Sequence, residues 1–204
     1  DQAPSAAVIA FTAGQDVATL PPADVALLPY DLRVNQAHVV MLAKTGIITE
    51  ADAGKILMGL HELEKSMYAG TFFLDPSCED VHTNIESWLT SKVGIEVAGK
   101  LHTARSRNDQ VVTDMKLYLR DQTLGFVNNS IMLAQALLVL ADKYKGLPFP
   151  GFTHHQHAMV TTFGHILAGV ASMIIRDIER FQGWFPLHNQ SPLGNIVSYG
   201  TTFP

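Results

Sequence analysis

The feature that most constrains this chain is a stretch of nearly forty residues in which nothing stops a helix. No proline occurs between Ser106 and Lys145. Within it Val112, Met115, Leu119, Thr123, Phe126, Ser130, Leu133, Leu137 and Leu140 recur at steps of three and four. That is the period of a bundle or coiled-coil helix sustained over many turns. At about 1.5 Å per residue the stretch predicts a rod of roughly 55 to 60 Å. A rod of that length outgrows a small globule and needs other long helices to cover it.

The rest of the sequence is read around this rod. Thr49-Glu50-Ala51-Asp52 opens a segment with a helix-capping pattern that predicts a helix to Tyr68, with Ile56, Leu57, Leu60 and Leu63 on one face. Ser77-Cys78-Glu79-Asp80 predicts a second start, and Gly94 a stop. Pro148-Phe149-Pro150-Gly151 breaks the long helix. A further helix follows, with Phe163, Ile166, Leu167, Val170 and Met173 on its stripe. Gly164, Ala168, Gly169, Ala171 and Ser172 among them allow close helix packing, and Pro186 is expected to end it. No alternating run and no Asn-Gly or Asp-Gly turn marks a strand, and Gly14 and Gly151 read as isolated turn glycines. The expected fold is all-α: a small N-terminal helical domain over residues 1–101, and the first part of a long-helix bundle over 102–204.

Composition narrows the function classes. Of 204 residues 47% are hydrophobic and only 16% charged, so much of the surface is expected to be buried against other subunits or in a membrane. No stretch of about 18 uncharged apolar residues is found, Phe163 to Ile175 being the longest candidate, and a membrane is not expected. Ala6 to Phe11 is too short for a secretory core and lacks basic residues before it. The net charge of −5 argues against nucleic acid, which clustered cations bind. A single cysteine, Cys78, fits a reducing, cytoplasmic compartment.

Three polar clusters stand out. His102 to Gln110 sits where the long helix begins, and free N–H groups at a helix start favour carboxylates. Ser106 and Asn108 add hydroxyl and amide donors, and Arg107 a cationic fork. Equally, the cluster reads as an ordinary helix cap. Thr153-His154-His155-Gln156-His157 precedes the last helix. It lacks the partner ligands of a metal site, and an acid/base or hydrogen-bonding histidine is the better reading. Glu79-Asp80-Val81-His82 brings carboxylates and an imidazole to one helix start, as a cap or as a pocket wall. There is no Walker A motif, dinucleotide fingerprint or nucleophile elbow.

Together these blocks resemble the argininosuccinate lyase family of the aspartase/fumarase superfamily. Gly99-Lys100-Leu101-His102-Thr103-Ala104-Arg105-Ser106-Arg107-Asn108-Asp109-Gln110 resembles its first signature block, and Pro150-Gly151-Phe152-Thr153-His154-His155-Gln156 its second. Glu79-Asp80-Val81-His82, Tyr30-Asp31-Leu32 with Ala37-His38, and Ser191-Pro192-Leu193-Gly194 also have counterparts there. The resemblance implies an anti-elimination that needs no cofactor and no metal and releases fumarate and arginine from argininosuccinate. Ser106, Arg107 and Asn108 would bind substrate, Thr153 a carboxylate of the fumarate part, and His154 would serve acid/base work. Asp80, His82, Asn35 and Gln156 would line the same pocket, within a homotetramer whose sites are shared between subunits.

Some positions depart from the family pattern. Val34-Asn35 stands where Gly-Ser is usual, and Asn195 to Tyr199 replaces a run of small residues. The family's third block, a Gly-Ser-Ser-x-Met-Pro-x-Lys-x-Asn loop carrying the favoured catalytic base, is not among these 204 residues. The chain is therefore expected to be part of a longer enzyme and inactive alone. Two alternatives remain: a non-catalytic protein on the same scaffold, and a carbon–nitrogen lyase acting on another aspartate-derived adduct.

Overall fold

The computed structural model describes residues 5–12, 14 and 22–204; the remaining residues of the expected 1–101 domain lie outside the described set. Seven α-helices and one two-stranded hairpin are found among the described residues. In order they are α1 (Ala6–Thr12), α2 (Leu28–Lys44), α3 (Glu50–Tyr68), α4 (Val81–Val93), α5 (Ile95–Ala98), α6 (Arg107–Lys143), β1 (Pro148–Thr153), β2 (Gln156–Thr162) and α7 (Phe163–His188). Short 3-10 turns cover Ala23–Ala26 and Gly99–His102. The mostly helical fold is the one the sequence predicts.

Two compact units result. The first contains the described residues up to Tyr118 together with Ser191–Pro204; the second is Leu119–Gln190. In the first, α2 packs on α3 and α3 on α4. Leu32 and Leu42 of α2, Ile56, Leu60 and Leu63 of α3, and Ile85 and Leu89 of α4 form its core, closed below by Leu101. Local signals set the ends of these helices. The Thr49 hydroxyl accepts the Asp52 N–H at 3.1 Å, so α3 starts where its capping residues predict. Asp80 caps α4 through the Thr83 N–H at 2.7 Å, and Gly94, at φ 81°, stops it.

In the second unit α6 and α7 are joined by the hairpin. A Cβ on Gly164 would fall on the Ala141 carbonyl and lie 2.7 Å from the Lys145 backbone, so only glycine permits this approach of α7 to α6. Phe126 packs against Phe181 in a tilted arrangement, with ring centroids 5.0 Å apart. The last helix runs through Pro186 to His188 instead of ending at the proline. A proline forfeits one N–H and clashes one turn back, which the final turn of a helix survives.

Two further expectations are corrected. A strand pair exists, and Gly151 lies within it at a register shift between Pro150 and Phe152, where a Cβ would sit 2.7 Å from the Met159 carbonyl. Also, α6 is long and apolar enough to cross a membrane by length and composition, its best 18-residue window having a mean hydropathy of 1.7. Asn128, Asn129, Ser130 and Gln135, scattered through an otherwise apolar run, hide it from a search for consecutive apolar residues.

Leu60 is fully buried between α2 and α4. Leu60→Ala is expected to destabilise the first unit by about 2 to 5 kcal/mol, the usual cost of emptying a packed leucine site. The denaturant midpoint followed by far-ultraviolet circular dichroism measures it.

Candidate active site

The start of α6 is built on a buried charged cluster. Asp31 from α2 is wholly buried, and its carboxylate accepts the Nδ1–H of His82 at 2.9 Å and the side-chain N–H of Gln110 at 2.6 Å. Arg105 is also buried and donates to Asn35 Oδ1 at 2.5 Å. Asp114, one turn beyond Gln110, lies 3.8 Å from His82 Nδ1. His38 Nε2 meets the Thr103 carbonyl at 2.8 Å. Charges this deep persist only when paired, because burial of a lone charge is costly.

The pairing sets the protonation states. Burial works to raise Asp31, but the hydrogen bond and charge of His82 and the bond from Gln110 outweigh it and hold its carboxyl below the usual range. Burial lowers His82, yet the Asp31 carboxylate prevails and keeps the imidazole more basic than usual. Asp114 is pushed up to about 9, first by burial and then by the neighbouring Asp31 charge. It therefore stands as a neutral carboxylic acid beside the Asp31 carboxylate. Burial and the Arg105 charge bring His38 down to about 4, so its ring is neutral and Nε2–H donates to Thr103.

Asp31, His82 and Asp114 offer ligand atoms within 4.8 Å of one another, close enough to hold a metal ion. A cation there would face the Arg105 guanidinium and displace the bonds from His82 and Gln110. The cluster already carries its own counter-charges.

Above the cluster lie the residues of the first signature block. Arg107 Nη1 donates to the Asp80 carboxylate at 2.5 Å and to the Thr83 hydroxyl at 2.8 Å, while Nη2 reaches Glu86 at 3.4 Å. Arg107 thus ties α6 to the start of α4. Burial opposes the Asp80 charge, but the Thr83 N–H and hydroxyl and Arg107 hold its carboxyl below the usual range. Ser106 precedes the helix, and the Asn108 side chain donates to its hydroxyl at 3.2 Å. Asn108 is exposed, whereas Asn35 and His82 are buried, Asn35 Oδ1 accepting from Arg105 and His82 Nδ1 donating to Asp31.

Thr153, His154 and Gln156 are placed in the second unit, at the tip of the hairpin, and all three are exposed. Thr153 pairs with Gln156 across a two-residue turn made of His154 and His155. Both have positive φ, 49° and 61°, the backbone signature of a type I′ turn. That turn normally takes Asn-Gly, because side chains crowd the left-handed region. His-His is no turn signal, so the hairpin is not marked in the sequence. Arg105, Gln110 and Asp114 are likewise not marked there as individual residues. Their place within the first block and one turn after it was the only available signal.

A family model described as Lyase matches residues 22–203. The chain belongs to the lyase family. Argininosuccinate lyases from Streptococcus agalactiae and Streptococcus thermophilus are 48% identical to this lyase chain over 181 residues, 89% of its length. The chain spans 39% of the length of these curated relatives. Among solved structures, EDDS lyase in complex with formate aligns with a TM-score of 0.81 at 30% identity, covering 92% of this chain and 36% of that one. A class II fumarase from Schistosoma mansoni aligns with a TM-score of 0.73 at 18% identity, covering 92% and 43% of the two chains, and shares the fold.

The protonation states give a pH signature. Asp114 is protonated in the folded lyase up to about 9 and ionises near 3.8 when unfolded, so folding retains a proton that the unfolded chain releases. His82, whose folded pKa is raised above 6.5, acts in the same sense: its contribution is present below 6.5 and fades as pH rises through the folded value. His38 acts oppositely, but only between about 4 and 6.5. Stability is therefore expected to fall from neutral pH toward pH 9, by up to about 1.4 kcal/mol per pH unit for one proton. In Asp114→Asn most of this slope should vanish, as urea midpoints across that pH range would register.

Proposed function

We propose that this lyase carries out the anti-elimination of argininosuccinate to fumarate and arginine. One observation supports the reading above the rest: Ser106 immediately precedes a 37-residue helix and Asn108 lies in its first turn, open to solvent. A helix start concentrates free N–H groups and partial positive charge where a dicarboxylate would bind. The 48% identity to argininosuccinate lyases supports the substrate.

In this reading Ser106 and Asn108 hydrogen-bond the substrate directly. Arg107 supplies positive charge at the same edge while its ion pair with Asp80 fixes α4 against α6. Asn35 and His82 act from beneath, by holding Arg105 and Asp31. Thr153 binds a carboxylate of the fumarate moiety, and Gln156 braces it as its partner across the turn. The carbon beside that carboxylate loses a proton to a base, and the resulting aci-carboxylate is stabilised by fixed donors. The carbon–nitrogen bond then breaks, and the departing guanidino nitrogen takes up a proton, with His154 serving the acid/base step. The serine loop of the family lies outside these 204 residues. Completion of each site by other subunits of a homotetramer, in the cytoplasm, is part of the proposal.

A second reading, a carbon–nitrogen lyase acting on a different aspartate-derived adduct, is favoured by Asn35. It occupies a position where the family pattern has serine and is locked by Arg105. The likeness to EDDS lyase points the same way. A panel of N-substituted aspartates distinguishes the two.

The natural full-length polypeptide should release fumarate from argininosuccinate, followed by ultraviolet absorbance. His154→Asn and Asn108→Ala should each lower kcat/KM by about 100-fold or more, the scale of a lost acid/base or transition-state contact. Undiminished activity in both variants would overturn the residue roles.

A further inference from the structure

Asp109 is almost wholly buried, although it is the third residue of α6 and follows the exposed Asn108. Its Oδ1 accepts the Ser106 N–H at 2.9 Å, the local bond of a helix start. Its Oδ2 does something that no local rule requires. It accepts the backbone N–H of Gly194 at 2.9 Å and of Ile196 at 2.8 Å, from a segment more than eighty residues away. One carboxylate thus meets three backbone donors, two of them on the Ser191–Gly200 loop.

That loop does not adopt its shape cheaply. Gly194 has φ 100°, and the non-glycine residues Ile196 and Ser198 have φ 52° and 81°. Left-handed backbone at residues with a Cβ costs of the order of 1 kcal/mol or more each and persists only where surrounding bonds hold it. Within the loop, Asn195 N–H to the Pro192 carbonyl at 3.0 Å and Gly200 N–H to the Asn195 carbonyl at 2.9 Å complete the turn. Charge-assisted bonds to a buried carboxylate are the strongest available restraint.

The held loop forms one wall of a cavity of about 420 Å³ whose other wall is the first turn of α6. Asn108, Asn195 and Ser198 supply its amide and hydroxyl groups; Val112 and Ile196 supply apolar surface. The volume suits a small organic acid.

We propose that Asp109 is a positioning residue. It clamps the Ser191–Gly200 loop beside Asn108, so that Asn195 and Ser198 form a second hydrogen-bonding wall for the substrate and help to select it. The inference rests on the lyase reading given above for the identity of that substrate.

The test uses the natural full-length protein, amide hydrogen exchange and steady-state kinetics. In Asp109→Asn the Gly194 and Ile196 amides should exchange about tenfold faster than in the parent, with the α2–α4 core amides unchanged. KM for argininosuccinate should rise about tenfold while kcat stays within about threefold. Asn195→Ala leaves the clamp intact and should raise KM without changing exchange at Gly194. Unchanged exchange in Asp109→Asn, or faster exchange with KM unmoved, overturns the clamp as a positioning device. Loss of the α2–α4 protection as well would mean a merely structural role and would equally overturn it. Failure of the parent protein to turn over argininosuccinate would instead defeat the substrate reading. The exchange comparison would then decide the clamp by itself, with KM measured on whichever aspartate adduct the parent does cleave.

Discussion

Everything at the head of the long helix depends on the buried Asp31 carboxylate. It joins α2 to His82 of α4 and to Gln110 of α6, and so fixes three helices at one point. Removing either neighbour would leave a charge in an apolar interior, which is far more costly than the pairing is favourable. The Arg105–Asn35 bond and the neutral Asp114 complete the arrangement. The apolar core of Leu60, Ile85 and Leu89 binds the helices together without direction. The polar cluster sets their register, because hydrogen bonds at these lengths tolerate little sliding.

On this base sit two kinds of residue. Arg107 and Asp80 form a half-exposed ion pair linking α6 to α4, and Asp109 reaches the distant loop. Asn108 stays exposed and Ser106 half-buried, bonded to each other rather than to the interior. The division matters for function. Groups spent on internal pairs hold geometry, and groups left open can meet a ligand. A helix start supported in this way resists the small displacements that blunt catalysis when a site is loosely held.

The hairpin of the second unit presents Thr153 and His154 by a different device. Two histidines occupy the left-handed turn positions that glycine and asparagine usually fill. Histidine tolerates that region better than branched residues do, but the choice still costs stability. Departures of this sort concentrate where a side chain is needed for chemistry, and Gly151 in the adjacent strand relieves the crowding at Met159.

The sequence by itself determined the helices and most of their ends, the run of α7 past Pro186 excepted, because periodicity and caps act between residues at most four apart. Thr49, Asp80 and Gly94 mark boundaries, and the proline-free run makes α6. It also placed the two signature blocks, since their residues are contiguous. What only the tertiary structure decided is which of those residues are turned inward and what they hold. Asp31 meets His82 across 51 positions, Asn35 meets Arg105 across 70, and Asp109 meets Ile196 across 87. No local pattern records such pairings. They exist because packing the apolar faces leaves these polar groups without water, and each must then find the partner that the fold brings within reach.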